Sequence, residues 1–225
     1  MDFQAGQTLL FNKPKTWSSF DVVKKIRRVV RVKKVGHAGT LDPLATGLLI
    51  ICTGKSTKTI PGIQDAEKEY VVDFQLGATT ASYDLESEPE HFIDASHLTE
   101  DAIKDAMKAF VGAVQQTPPI FSAIKVNGKR AYESARAGKK IELKSRTIFI
   151  ERFELLDYDA EKKVGKAVVV CSKGTYIRSL VHDLGQALNV GAYMAELVRT
   201  RIGPHKLENA WEIADFAEEF SPKNP

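Results

Sequence analysis

The sequence predicts the α+β class: a mixed, mainly antiparallel sheet flanked by helices and loops. Short apolar runs with strand periodicity cluster along the chain. The helical segments between them fall at irregular intervals, unlike the even alternation of a βαβ series. No internal repeat and no low-complexity linker divides the 225 residues, so one domain spanning 1–225 is expected, with length enough for a sizeable core.

Residues 8–11 read as a short strand. Ser18 and Asp21 have the spacing of a capping box, and Val22, Val23, Ile26, Val29 and Val30 follow at helical spacing. That helix is expected to turn Lys24, Arg27, Arg28 and Arg31 outward. The unbroken apolar run 48–52 reads as a buried strand. Tyr70, Val72, Phe74 and Leu76 alternate with Glu69, Asp73 and Gln75, the pattern of a half-buried strand. Thr99 caps a helix expected to run to about Val111 and to end at Gly112. Asn127-Gly128 signals a hairpin or tight turn. Residues 147–156 and 164–171 read as strands, and Ile177, Leu180, Val181 and Leu184 mark a helix. Residues 192–200 form a segment of undecided type, and 209–219 a terminal helix.

Composition narrows the function classes. No apolar run approaches the roughly 18 residues of a spanning helix, and the N-terminus lacks the basic start and apolar centre of a secretion signal. Cys52 and Cys171 each lie in an apolar run, as buried thiols do. A cytoplasmic protein without a membrane partner is expected. The net charge of +3 is unevenly spread. Residues 24–34 hold seven basic residues and no acid, and residues 125–146 hold eight basic residues against Glu133 and Glu142. Residues 84–105 carry eight acids and one lysine. A molecule with such a positive face suits a polyanion, with an acidic, helical insertion at about 84–112 turned away from it.

The stretch 36–58, GHAGTLDPLATGLLIICTGKSTK, offers two candidate sites. Its right half imitates a phosphate-binding loop, but the first glycine should stand at position 49, which is Leu49. Moreover, residues 48–52 are themselves the expected strand, which cannot also curl into a nest of amides. In the left half, Gly36, Gly39 and Gly47 permit tight backbone paths, Pro43 holds Asp42 extended, and Leu41, Leu44 and Leu48 anchor the loop. Asp42 is therefore a rigidly presented carboxylate, or else part of a plain Asp-Pro turn.

Other chemistries lack their residues. No second carboxylate has a comparable setting for glycoside hydrolysis. His37, His91, His97, His182 and His205 are scattered without metal-ligand spacing, and no nucleophile elbow is present. Arg178 falls in the first turn of its helix, where a cation opposes the macrodipole; an anionic partner nearby and a solvent-exposed side chain both remain open.

Residues 36–47, GHAGTLDPLATG, resemble the signature of the TruB family of tRNA pseudouridine synthases. The similarity continues in Lys68-Glu69-Tyr70, in 118–128 (PPIFSAIKVNG), in 174–180 (GTYIRSL) and in 197–203 (LVRTRIG). Five motifs in order make the resemblance specific. It implies a pseudouridine-synthase catalytic domain that isomerises uridine 55 in the T loop of tRNA, detaching the base at N1 and rejoining it at C5. It implies no metal or other cofactor, and tRNA as partner of a monomer that needs no partner protein. By this resemblance Asp42 is the catalytic aspartate, Arg178 the arginine that pairs with it, and Tyr70 the tyrosine that stacks on the target base. His37 matches a histidine near the flipped nucleotide, and Tyr176 and Leu197 match residues lining the uridine pocket. The basic segment 120–146 matches the family's thumb. The family's Lys-Pro-x-Gly-x-Thr-Ser becomes Lys13-Pro14-Lys15-Thr16-Trp17-Ser18-Ser19, so the loop is expected to take a slightly different path. The chain stops soon after the last motif, as a short form without the C-terminal PUA domain would. The rival readings are a non-catalytic RNA-binding or tRNA-folding module and an RNA-guided pseudouridylase subunit.

Overall fold

A computed structural model describes residues 1–122, 124–126, 129–130 and 143–221. Along the chain lie β1 (Thr8–Lys13), α1 (Ser19–Val30), β2 (Val35–Ala38), β3 (Thr46–Thr53), α2 (Ile60–Asp65), β4 (Lys68–Leu76) and β5 (Thr79–Thr80). Next come β6 (Pro89–Glu90), α3 (Glu100–Lys108), β7 (Gly112–Gln116), β8 (Lys125–Val126), β9 (Lys129–Arg130) and β10 (Arg146–Asp159). The chain ends through β11 (Val164–Cys171), α4 (Ile177–Ala187), β12 (Ala192–Ile202), β13 (His205–Lys206) and α5 (Ile213–Phe220). It forms two compact units, residues 1–71 with 197–225, and residues 72–196.

In the first unit β3 pairs antiparallel with β1 (Leu9↔Ile51) and with β2 (His37↔Ile51), and β12 joins it in parallel at Val198↔Thr46. Leu49 and Ile51 point into a core with Val22, Val23, Ile26 and Phe216. Leu48, Ile50 and Cys52 point the opposite way, toward Ile202, Ile60 and Ile63. A strand covered on both faces has no reason to alternate, which is why 48–52 is unbroken apolar sequence. The expected capping box is present: Ser18 accepts from the Asp21 amide, and Asp21 accepts from the Ser18 amide. Arg27 departs from the expected outward row. It folds back, half-buried, and donates to the Val35 carbonyl (3.2 Å). The GKST stretch is a 3-10 turn following β3. Gly54 is required there because a Cβ would meet the Gln4 carbonyl oxygen at 2.2 Å.

In the second unit β10 pairs antiparallel with β11 and with β7. Thr99 caps α3 as expected, but the helix stops at Lys108. Gly112, at φ +100°, turns the chain into β7 instead of closing the helix. Phe110, just past α3, packs edge-on against Phe153 of β10. The helix expected around Leu180 is α4, burying Ile177, Leu180, Val181 and Leu184. The undecided segment is strand β12, and the expected terminal helix begins only at Ile213. Val126 pairs with Lys129, while Asn127 and Gly128 and the basic residues 131–142 lie outside the described residues. Among the described residues, mainly antiparallel ladders, the parallel pairing of β12 with β3 and irregularly placed helices give the expected α+β class. Cys52 and Cys171 are both buried free thiols. Among the described residues no helix is long and apolar enough to cross a membrane.

Candidate active site

The loop between β2 and β3 carries Asp42, and several backbone groups on both sides of it are fastened. Gly39 leaves β2 at φ +91°. The Leu41 amide donates to Ser19 Oγ (2.9 Å), and that hydroxyl donates back to the Leu41 carbonyl (3.2 Å). The Pro43 carbonyl accepts from the Thr16 amide (2.7 Å) and from Lys13 Nζ (3.3 Å). The Asp42 carbonyl closes a turn with the Ala45 amide (3.1 Å). Arg199, 1% exposed, donates from Nε to the Leu48 carbonyl, from Nη1 to Thr40 and from Nη2 to Gly39. Gly47 lets β12 approach, since a Cβ there would stand 2.4 Å from the Arg199 carbonyl oxygen. Asp42 is thus a half-buried carboxylate on a backbone held from both flanks.

Two cations lie buried near this loop, and the sequence assigned a role to neither. Lys13, fully buried, donates to the Pro14, Trp17 and Pro43 carbonyls. Burial pulls its pKa down to about 8, the charge of Asp42 works against that fall, and Arg199 adds to it. Thr16, standing where the family motif has glycine, takes φ +73°. That is a left-handed conformation open to glycine and costly for a β-branched residue. Arg199 could have been suspected from its position two residues after Leu197, on the apolar face of a strand.

His37 lies half-buried on β2, and burial is the main reason its pKa is lowered, so its ring is neutral at pH 7. Tyr70 is 9% exposed, on the same face of β4 as Val72 and Phe74. Leu197 is buried on β12, where its carbonyl accepts from Thr46 Oγ1.

In the second unit Tyr176 stands at the N-cap of α4. The Gln116 amide clamps it, accepting from the Tyr176 amide (2.8 Å) and donating to its carbonyl (3.0 Å). The Arg146 guanidinium lies 5.1 Å from its ring centre. Arg178 is buried, not turned to solvent as one of the two open possibilities had it. It pairs with Asp84 at 3.4 Å, both side chains being 4% exposed, and donates to the Ser82 and Phe121 carbonyls. The paired anion offsets the unfavourable place of a cation in the first turn of a helix. Asp84 was hidden from sequence reasoning inside the acidic run 84–105. It is anchored by its own turn: its carboxylate accepts from the Glu86 amide and its carbonyl from Thr80 and Ser82. Nearby, Tyr83 stacks on His182 at 3.9 Å, and burial pushes the Asp183 pKa up to about 6.

Residues 27–177 match the family model described as TruB family pseudouridylate synthase (N terminal domain), and residues 178–223 match that of the tRNA pseudouridylate synthase B C-terminal domain. The tRNA pseudouridine synthase B of Parabacteroides distasonis is 53% identical, over 97% of this chain and 96% of that protein. Its counterpart in Flavobacterium johnsoniae is 48% identical over 96% and 97%. Among solved structures, a Cbf5–Nop10–Gar1 complex contains a chain with a TM-score of 0.75 and 32% identity; the match covers 96% of this chain and 54% of that one. A structure of an H/ACA RNP bound to a substrate RNA containing 2'-deoxyuridine matches with a TM-score of 0.71 and 29% identity, over 96% and 53%.

Proposed function

Because the chain belongs to the TruB family of pseudouridylate synthases, we propose that it converts uridine 55 in the T loop of tRNA to pseudouridine. The reaction is an isomerisation: the N1–C1′ bond breaks, a C5–C1′ bond forms, the C5 proton leaves and N1 regains a proton. No water or redox partner is consumed, so one carboxylate suffices. The observation that carries this reading is the fastening of the Asp42 loop by Ser19, Lys13, Thr16 and Arg199. A carboxylate whose backbone does not reorganise is what a reaction on a flipped nucleotide needs.

Asp42 is the catalytic carboxylate, and Arg178, which also pairs with Asp84, is its partner cation. Tyr70 is the platform for the base, and Tyr176 and Leu197 line the uridine pocket. His37, neutral at pH 7, contributes stacking or a hydrogen bond rather than a charge on phosphate. Flipping the nucleotide costs a few kcal/mol, offset by stacking and phosphate contacts. The exposed basic residues of α1, among them Lys24, Lys25 and Arg28, supply some of the latter.

The test uses the purified chain alone with a T-arm stem-loop, comparing wild type with Asp42→Asn for pseudouridine and for RNA affinity. Product from wild type only, with binding retained in the variant and a steep loss of affinity with salt, is expected. Binding without product in either protein supports a non-catalytic RNA module instead, and turnover by the variant removes Asp42 from the chemistry.

A further inference from the structure

Phe20 is an apolar ring that the fold leaves 53% exposed. Single exposed apolar residues are ordinary, but three features set this one apart. The first is its place. Ser19, the preceding residue, is bonded through its hydroxyl to both backbone groups of Leu41, the neighbour of Asp42. Phe20 is thus the next residue along the chain from one that fastens the Asp42 loop. The second is its partner: Lys24, one helical turn on, sits over the ring with its ammonium 5.0 Å from the centroid. The third is the surrounding charge. Beyond Lys24 the outer face of α1 shows Lys25, Arg28 and Arg31, and the helix has one acid, Asp21. That acid is engaged by the Ser18 amide and hydroxyl. The capping box engages the Ser18 and Asp21 amides, so the ring and the ammonium, not the helix end, are the groups offered to a ligand here.

We propose that Phe20 and Lys24 form a binding site for a second unstacked nucleotide of the substrate RNA, its base stacked on the Phe20 ring and its phosphate paired with the Lys24 ammonium. An exposed aromatic beside a cation is the usual platform for single-stranded nucleotides, sequence-tolerant because every base has a π-face. Pulling one nucleotide out of a folded loop unstacks its neighbour as well, and α1, whose Ser19 holds Leu41, offers that neighbour the Phe20 ring. A polypeptide partner would lack the phosphate that this cationic face selects. The site rests on the proposed RNA-modifying function, but it makes its own prediction: the ring acts in binding, and the chemistry belongs to Asp42.

The experiment measures T-arm affinity and steady-state pseudouridine formation for wild type, Phe20→Ala, Phe20→Trp and Lys24→Ala, with Asp42→Asn as a binding-competent reference. Loss of one base–aromatic stack corresponds to roughly 5- to 160-fold weaker binding. Phe20→Ala is expected to raise Kd and KM by that factor, with a far smaller effect on kcat. Phe20→Trp should retain affinity, and its emission, over the background of Trp17 and Trp211, should be quenched by RNA as stacking requires. Lys24→Ala should lower the slope of log K against log salt by about 0.7–0.9, one phosphate contact. Phe20→Ala binding within twofold of wild type, or an unquenched Trp at position 20 in a protein that binds RNA, overturns the site while leaving the proposed function intact. Failure of wild type and Asp42→Asn alike to bind the T arm overturns both.

Discussion

The buried pair Asp84–Arg178 sets the most quantitative expectation. At 3.4 Å and 4% exposure of both side chains, an effective dielectric near 20 gives an attraction of roughly 5 kcal/mol. Much of this only offsets the cost of desolvating the two charges, so the pair itself is not the quantity to measure. Removing one member is different, because the desolvation of the other charge is left uncompensated, at about 3–5 kcal/mol. Asp84→Asn keeps the side-chain oxygen that accepts from the Glu86 amide (2.9 Å), so its cost should sit at the lower end, about 3 kcal/mol. For a chain of this size that corresponds to a fall in Tm of about 6–12 °C. Calorimetry of wild type and Asp84→Asn, with the exposed Glu86→Gln as control, reads this directly. The double variant Asp84→Leu with Arg178→Met should recover part of the loss, since an apolar pair carries no charge desolvation but withdraws the hydrogen bonds to Ser82, Phe121 and Glu86. A melting temperature for Asp84→Asn within 2 °C of wild type, equal to the Glu86→Gln control, would refute the reasoning.

Thr16 holds φ +73°, at a cost of about 1–2 kcal/mol that is partly returned by the looser unfolded chain of a glycine; Thr16→Gly should therefore stabilise by about 0.5–1 kcal/mol in denaturant titration, and a loss of stability would show the strain to be absent. Arg199→Lys forfeits the paired hydrogen bonds to Gly39 and Thr40, so the chain should lose about 3 kcal/mol, with faster amide exchange across residues 39–45 and unchanged exchange in α4. The carboxyl of Asp183 has its pKa raised from 3.8 to about 6 by burial, so the folded state retains the proton longer and the group costs stability as pH rises from 3.8 through about 6. Asp183→Asn should gain on wild type across that window, by about 1 kcal/mol after allowance for partial solvent access; a pH-independent difference between the two proteins would contradict it.

What could be read from sequence was what depends on near neighbours along the chain. The capping box at Ser18 and Asp21, the alternation from Tyr70 to Leu76 and the apolar face of α4 are set by residues two to four positions apart. The failure of GKST as a phosphate loop was equally a matter of spacing. The helix stops at Lys108, short of Val111, because Gly112 suits both a helix stop and the left-handed step into β7, and only pairing with β10 favours the second. Residues 192–200 stayed undecided for the same cause, because an apolar segment becomes strand β12 through the strands beside it.

The buried charges were decided by tertiary structure alone. Nothing local distinguishes Asp84 from the solvated acids that follow it, or Arg199 from the exposed cations of α1. Each is buried because a distant part of the chain supplies the groups that satisfy it: Arg178 for Asp84, and the carbonyls of Gly39, Thr40 and Leu48 for Arg199. By itself the sequence determined the elements fixed by near neighbours, the family motifs and the carboxylate on which to build a reaction. Only the fold determined that this carboxylate stands on a backbone fastened by Lys13, Thr16, Ser19 and Arg199, because burying a charge is favourable only where folding brings its partners to it.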